Sequence, residues 1–160
     1  MDHRGTTAAA GVGHCGLVAI VGRPNVGKST LLNRVLGQKL SITSQKPQTT
    51  RYAILGIKTS GNDQVVYIDT PGLRGAEGRA LHRALDRAAR RAIDEAHVPV
   101  FLIEALRWTD ADRYALTRIR TRRRPVVLAI NKIDRVGDKR LLLPFLDQVG
   151  GLMDFAEVIP

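Results

Sequence analysis

The chain has 160 residues, of which 44% are hydrophobic but only 4% aromatic, and it carries a formal net charge of +10. This length allows one domain with a buried core, and the aliphatic composition favours a sheet covered by helices over an all-β binding protein. A single cysteine, Cys15, excludes an internal disulfide and suits a reducing cytoplasm. No apolar run approaches the roughly 18 residues of a membrane span, which predicts a soluble chain.

The positive charge is concentrated in two arginine-rich stretches, residues 79–91 and 118–124. A strongly positive net charge is typical of proteins that bind nucleic acid. A solvated surface dominated by arginine explains the same charge equally well. No aromatic residues are interleaved with the arginines, so stacking on bases is not indicated.

Strand and helix patterns alternate along the chain. After residues 1–15, expected to be a flexible tail, the apolar run 17–21 predicts a strand followed by a loop and a helix. Residues 51–58 and 64–68 have strand patterns, and the polar turn between them suits an antiparallel hairpin. The later predicted elements are an amphipathic helix at 78–96, a strand at 98–103, a helix capped by Thr109 and Asp110, a strand at 125–130, a helical segment at 139–149 and a strand from 156.

This alternation is typical of an α/β fold. It predicts a mainly parallel sheet with one antiparallel hairpin strand and right-handed crossovers. A ligand is then expected at the C-terminal ends of the parallel strands, where the connecting loops converge.

Residues 22–29 read Gly-Arg-Pro-Asn-Val-Gly-Lys-Ser and join the first predicted strand to the first helix. The spacing G-x-x-x-x-G-K-S lets the backbone curl around an anion, so that N–H groups and the helix N-terminus face phosphate. Lys28 is expected to reach the outer phosphates and Ser29 to bind Mg²⁺. The sequence therefore predicts a phosphate-binding loop of Gly22, Arg23, Pro24, Asn25, Val26, Gly27, Lys28, Ser29 and Thr30.

A D-x-x-G segment, Asp69-Thr70-Pro71-Gly72, follows the strand 64–68. A carboxylate at a strand end can hold Mg²⁺ through water, and a flexible glycine can turn its N–H onto a γ-phosphate. Alone, this tetrapeptide is equally compatible with an ordinary turn. Its position after a phosphate loop and at a strand end favours a nucleotide-sensing switch.

The polar stretch 41–51 lies between the first helix and the hairpin and is expected to be a mobile loop. A threonine hydroxyl there can complete the Mg²⁺ shell when the γ-phosphate is present. Thr49 and Thr50 both qualify, and position favours Thr50. The predicted catalytic residues are therefore Lys28, Thr50 and Gly72, and the predicted Mg²⁺ ligands are Ser29, Thr50 and Asp69.

Asn131, Lys132 and Asp134 directly follow the strand 125–130 in an N-K-x-D pattern. An aspartate can accept two hydrogen bonds from N1–H and the amino group of guanine, a donor pair that adenine lacks. Asn131 is expected to brace the loop and touch the purine, while the stem of Lys132 packs on the ring. As the third motif in this order, the pattern predicts GTP rather than ATP.

Four segments resemble the Era family of bacterial ribosome-assembly GTPases, within the TrmE-Era-EngA-YihA-Septin-like group. They are residues 22–33, residues 37–44 together with 47–51, residues 69–73, and Leu106-Arg107-Trp108-Thr109. The resemblance covers residues 16–160 and implies a three-layer P-loop NTPase fold of the Ras-like type, with hydrolysis of GTP to GDP in the presence of Mg²⁺.

The resemblance also implies partners and a location. It implies contact with 16S rRNA and the pre-ribosomal particle during maturation of the small subunit, a monomer, and a cytoplasmic protein with peripheral association with the inner membrane. In related GTPases the asparagine at the position of Asn25 holds a potassium ion. Leu73 takes the place of the water-orienting glutamine of Ras-type enzymes, which implies slow intrinsic turnover accelerated by potassium or by an RNA partner.

Era-type proteins continue beyond the strand at 157–160 into a guanine-contacting loop, a closing helix and a KH-type RNA-binding domain. We therefore expect residues 16–160 to form a G domain that is incomplete at its C-terminus and lacks the KH domain. One hypothesis is an active GTPase module, and another is a truncated fragment that binds guanine nucleotide weakly without turnover. A related potassium-dependent GTPase of tRNA modification or metal transport is disfavoured by the segment 107–109 and by the lack of membrane spans.

Overall fold

The computed structural model describes residues 13–37, 54–68, 70–73, 80–120 and 124–160. The strands of this part are β1 (Cys15–Val21), β2 (Ile54–Ser60), β3 (Asp63–Ile68), β4 (Val98–Glu104), β5 (Val127–Asn131) and β6 (Glu157–Ile159). Its helices are α1 (Lys28–Leu36), α2 (Ala80–Glu95), α3 (Asp110–Ile119) and α4 (Leu142–Gly150), with short 3-10 turns at Ile133–Arg135 and Lys139–Leu141. No helix in these ranges is both long and apolar enough to cross a membrane.

All six strands belong to one sheet with the order β2-β3-β1-β4-β5-β6. β2 is antiparallel to β3, and every other neighbouring pair is parallel. The predicted α/β fold, with its mainly parallel sheet and one antiparallel hairpin strand, is confirmed. Because β1, β4 and β5 lie side by side in the same direction, the loops that follow them emerge at one edge of the sheet.

The apolar core occupies both faces of the sheet, since alternate residues of a strand point to opposite sides. Phe101 and Ile103 of β4 belong to a large cluster with buried residues of α2, α3 and α4. Leu102, between them, belongs to a smaller cluster with Leu32 of α1. Helix α1 therefore covers one face and the other three helices cover the opposite face, which gives three layers.

Two of the observed elements that differ from the predicted ones lie near prolines. β5 begins at Val127, two residues after Pro125, where the strand was predicted to start. The segment predicted to be helical from residue 139 begins as a 3-10 turn, and α4 starts at Leu142, so that Pro144 falls in its first turn. Proline is tolerated there because the first N–H groups of a helix have no partner within it.

The first strand begins inside the predicted tail. Cys15 is the first residue of β1, and the N–H of Gln64 donates a 2.8 Å hydrogen bond to the carbonyl of His14. The side chain of His14 also lies 3.0 Å from the carboxylate of Asp63. Contacts with β3 thus correct the predicted boundary, while residues 1–12 lie outside the described part of the chain.

Candidate functional site

The loop between β1 and α1 curls back on itself. Asn25 and Gly27 both have positive φ angles, 61° and 107°, which reverse the direction of the chain before α1 begins. The ammonium of Lys28 donates to the carbonyls of Gly22 and Arg23, at 3.0 and 2.8 Å. This closes the loop at its base. Ser29 lies exposed in the first turn of α1, as does Thr30, so a ligand can reach the helix N-terminus.

Hydrogen bonds from the end of β5 tie a second loop to the first. The side-chain amide of Asn131 donates to the carbonyl of Val26 at 2.9 Å. The ammonium of Lys132 donates to the carbonyl of Asn25 at 3.0 Å. The hydrogen bond to Val26 is a contact of the kind expected if Asn131 braces the loop. The stem of Lys132 was predicted to pack on the purine, and its ammonium points to the phosphate loop.

Asp134 lies beyond these two residues, in the 3-10 turn Ile133–Arg135. Lys132 enters the turn in the left-handed conformation, with φ 63°, and its carbonyl accepts a 3.0 Å hydrogen bond from the N–H of Arg135. The side chain of Asp134 is exposed. Its carboxylate is therefore accessible to a ligand beside the phosphate loop.

Two glycines permit close contacts between the loops. A Cβ at Gly27 would lie 2.1 Å from the side-chain nitrogen of Asn131, so any side chain there would displace the bracing amide. A Cβ at Gly72 would lie 3.0 Å from the ring and nitrogen of Pro24. Gly72 thus lies directly against the phosphate loop, in keeping with the position of β3 beside β1.

The residues around Gly72 have different environments. The buried hydroxyl of Thr70 donates to the carbonyl of Ile20 in β1. This bond ties the side chain of Thr70, a predicted nucleotide-binding residue, to the sheet. Pro71 is half-buried. Leu73 is only 2% exposed and packs in the large core cluster.

A buried ion-pair network lies beneath the two loops, and the sequence interpretation did not include it. Arg23 is 8% exposed, and its guanidinium pairs with Glu104 at the end of β4 and lies 3.3 Å from Asp112 in α3. The ammonium of Lys132 lies 3.1 Å from the same Glu104 carboxylate. The side chain of Arg23, a residue of the predicted phosphate loop, is therefore engaged by protein carboxylates.

The charge state of Glu104 follows from its partners. Burial is the largest single effect and opposes ionisation, but hydrogen bonds from Lys132 and Arg23 together hold the pKa of Glu104 below its ordinary value. One signal could have identified this residue from the sequence. Glu104 is an acidic residue that ends an otherwise apolar strand, and the neighbouring β5 also ends in a polar residue, Asn131.

Three predicted site residues, Thr49, Thr50 and Asp69, lie outside the described residues. Ser29 is the predicted Mg²⁺ ligand that falls within them, and its hydroxyl oxygen is the type of donor that Mg²⁺ prefers. The remaining predicted residues of the phosphate loop and of the loop after β5 lie at one edge of the sheet, with hydrogen bonds between the two loops.

This arrangement defines a class of protein, a Ras-like P-loop nucleotide-binding fold with ligand loops after β1 and β5. The family model described as 50S ribosome-binding GTPase matches residues 17–132. The chain belongs to this family.

The similarity to curated relatives is more specific than the match to the family model. GTPase Era of Marinobacter nauticus is 55% identical to this chain, over 91% of the chain and 48% of the relative. GTPase Era of Glaesserella parasuis serovar 5 is 53% identical, over 92% of the chain and 49% of the relative. The chain therefore spans about half the length of the curated relatives that it matches.

Solved structures agree with this similarity. Era in complex with MgGDPNP and nucleotides 1506–1542 of 16S ribosomal RNA has a TM-score of 0.77 and 39% identity, over 91% of this chain and 50% of that chain. The G domain of the T. maritima FeoB iron transporter has a TM-score of 0.64 over 91% of this chain and 87% of that chain. At 22% identity, the FeoB similarity concerns the fold alone.

Proposed function

We propose that this chain is a guanine-nucleotide-binding module that hydrolyses GTP, within a protein that acts in maturation of the small ribosomal subunit. The observation that carries the proposal is the direct contact between the two ligand loops. Asn131 and Lys132 of the N-K-x-D segment bond to Val26 and Asn25 of the phosphate loop, at 2.9 and 3.0 Å. A ligand with phosphates at one loop and a base at the other therefore spans both.

Base recognition is assigned to the loop after β5. Asp134 is exposed beside the phosphate loop, and an aspartate there can accept two hydrogen bonds from guanine. Asn131 holds the loop in place through Val26, and the aliphatic stem of Lys132 packs on the purine. Adenine offers no matching donor pair, so it would leave the carboxylate unpaired.

Phosphate binding is assigned to the loop after β1 and to the first turn of α1. Lys28 contacts the outer phosphates, and backbone N–H groups at the helix N-terminus surround the remaining oxygens. Ser29 supplies one Mg²⁺ ligand, and Thr50 and Asp69 are proposed as the others. When bound, Mg²⁺ neutralises charge on the phosphates. The Era structure with MgGDPNP supports a magnesium-bound guanine nucleotide as the ligand.

Hydrolysis by this site is proposed to be slow without a partner. Leu73 follows the D-x-x-G segment, and its apolar side chain is buried in the core, so it cannot orient water. Gly72 is proposed to sense the γ-phosphate through its N–H. Asn25, which is exposed and adjacent to the phosphates, is proposed to hold potassium. Equal hydrolysis rates in potassium and in sodium would contradict this role for Asn25.

The cellular role rests on the relatives. Era has been solved with a fragment of 16S ribosomal RNA, and GTPase Era proteins share more than half of their residues with this chain over the aligned region. We accordingly propose small-subunit rRNA and the pre-ribosomal particle as partners of the whole protein, with a cytoplasmic location. Peripheral association with the inner membrane and a monomeric state are proposed from the family resemblance alone.

The deciding experiment is a titration with fluorescent GDP, a GTP analogue and ADP. We expect guanine nucleotides to bind and ADP to bind at least about 30-fold more weakly, since each polar group left unmatched in the complex costs about 1–3 kcal/mol and two donors are lost. Asp134→Asn should shift the preference toward xanthine nucleotides, and Asp154→Asn, at another exposed aspartate, should not. Equal affinity for ADP and GDP would remove the assigned role of Asp134.

A companion measurement separates binding from turnover. Lys28→Ala should abolish affinity for the nucleotide, because Lys28 is the lysine of the phosphate-binding motif and is proposed to contact the outer phosphates. Phosphate release from GTP, followed with Mg²⁺ and potassium present, then distinguishes the two hypotheses. Guanine binding with no phosphate release would favour the fragment without turnover.

A further inference from the structure

The sheet order places one side chain between the two ligand loops. β4 lies between β1 and β5, and its last residue, Glu104, pairs in register with Asn131 at the end of β5. Arg23 stands just beyond β1 and Lys132 just beyond β5. A side chain at the end of β4 can therefore reach both loops, because they emerge on either side of it.

Glu104 uses this position to contact a cation from each loop. Its carboxylate pairs with the guanidinium of Arg23 and lies 3.1 Å from the ammonium of Lys132. All three side chains are at least four-fifths buried, with exposures of 18% for Glu104, 10% for Arg23 and 20% for Lys132. Asp112 is fully buried and balances the second cation, with an oxygen 3.3 Å from Arg23. The exposed guanidinium of Arg107 also lies 3.9 Å from the Glu104 carboxylate, so the group contains three cations and two anions. Its buried members lie in little water, where charged hydrogen bonds are strong.

The Lys132 ammonium has two acceptors in this arrangement, Glu104 and the carbonyl of Asn25. Lys132 and Asn25 both hold the left-handed backbone conformation, with φ angles of 63° and 61°, although neither is glycine. Such conformations are unfavourable for residues with a Cβ and persist where surrounding contacts hold them. The Lys132 ammonium connects these two strained positions through its hydrogen bond to the Asn25 carbonyl, and the Glu104 carboxylate pairs with that ammonium.

We infer that Glu104 is a positioning residue of the nucleotide site, whose carboxylate holds the Lys132 ammonium against the phosphate loop and so aligns the base loop with that loop. This inference rests on the proposed guanine-nucleotide function. Glu104 itself touches neither the base nor the phosphates in this scheme. It affects affinity by holding the Lys132 ammonium in place, while Arg23 pairs with the same carboxylate from the other side.

Glu104→Gln tests the inference with little change of shape. Both cations contact the same carboxylate oxygen, Oε2, and the oxygen of a glutamine could accept from both, but it carries no negative charge, so both hydrogen bonds lose their charge-assisted strength. We expect the Kd for GDP to rise about tenfold through faster dissociation, since a hydrogen bond between charged groups is worth at least a factor of this size. Glu157→Gln makes the same chemical change at an exposed position on β6 and should leave the Kd unchanged.

A double-mutant cycle separates positioning from a general structural effect. Lys132→Met keeps the aliphatic stem but removes the ammonium, and should also raise the Kd about tenfold. If Glu104 acts through Lys132, the variant with both changes binds GDP much better than the product of the two single effects predicts. Multiplicative effects, or a Glu104→Gln variant indistinguishable from Glu157→Gln, would overturn the inference.

Two controls keep this result interpretable. Circular dichroism and thermal unfolding report whether each variant is folded. If Glu104→Gln fails to fold, the test rests on Lys132→Met alone. A Kd for GDP equal to that of the wild type would then mean that the Lys132 ammonium plays no part in binding, so that Glu104 cannot act by positioning it. Failure of the wild-type chain to bind GDP would instead refute the proposed function, so the two failures are distinguishable.

Discussion

Replacing Gly27 by alanine tests the contact between the two ligand loops most directly. A Cβ at this position would lie 2.1 Å from the side-chain nitrogen of Asn131, well inside van der Waals contact. The amide must then move and release its 2.9 Å hydrogen bond to the carbonyl of Val26. Because Gly27 also has a φ of 107°, alanine would strain the backbone of the phosphate loop as well.

The magnitude follows from these two effects. A residue with a Cβ in a left-handed conformation costs about 1–2 kcal/mol, and the lost hydrogen bond costs about 1 kcal/mol more. Together they disfavour the observed loop arrangement by about 2–3 kcal/mol. If that arrangement is the one that binds nucleotide, the Kd for GDP should rise about 30- to 150-fold.

Gly37→Ala is the matched control. Gly37 ends α1 with a φ of 69°, so alanine there imposes backbone strain of a similar kind, but its Cβ would meet no atom of the described residues within 4 Å. Both variants should lose stability in thermal unfolding, whereas only Gly27→Ala should lose affinity in a GDP titration. Equal GDP affinity in the two variants would refute the view that the Gly27 and Asn131 contact organises the site.

Two further predictions concern stability. Thr109→Ala should lower the free energy of unfolding by about 1 kcal/mol, because the Thr109 hydroxyl caps the start of α3, and Thr117→Ala on the same helix is the control. Equal losses in urea unfolding would contradict the capping role. The pKa of Glu104 is lowered because hydrogen bonds from Lys132 and Arg23 outweigh burial, so its contribution is complete above its ordinary pKa and lost as the pH falls through the lower folded value. Wild-type protein should therefore lose more unfolding free energy than Glu104→Gln between about pH 6 and about pH 3, and identical losses would contradict the ion pairing.

The architecture was predictable because its signals are local. An apolar run, a turn rich in glycine and polar residues, or apolar residues at helical spacing each depend on a short stretch of chain. β1, the hairpin of β2 and β3, and the capped start of α3 at Thr109 were found in this way. The errors are also local in origin. Pro125 was included in a strand that begins only at Val127, and Cys15 was assigned to a tail because its pairing with a distant strand cannot be seen in the neighbouring sequence.

The phosphate loop and the N-K-x-D segment could be proposed from spacing alone, since each motif occupies consecutive residues. The network of Arg23, Glu104 and Asp112 could not, because Arg23 is 81 positions from Glu104 in the chain and meets it only after β4 is placed between β1 and β5. Spacing likewise could not tell that the Arg23 side chain turns inward. That direction depends on which carboxylates surround it.

The sequence by itself determined the class of fold, the order of the ligand loops and the chemistry that each loop can offer, because those properties belong to short segments. The tertiary structure decided how the loops are joined. Asn131 reaches Val26 and Lys132 reaches Asn25 across more than 100 residues of chain. Such contacts depend on the packing of parallel strands, which places the ends of β1, β4 and β5 next to one another and makes Glu104 the residue between them.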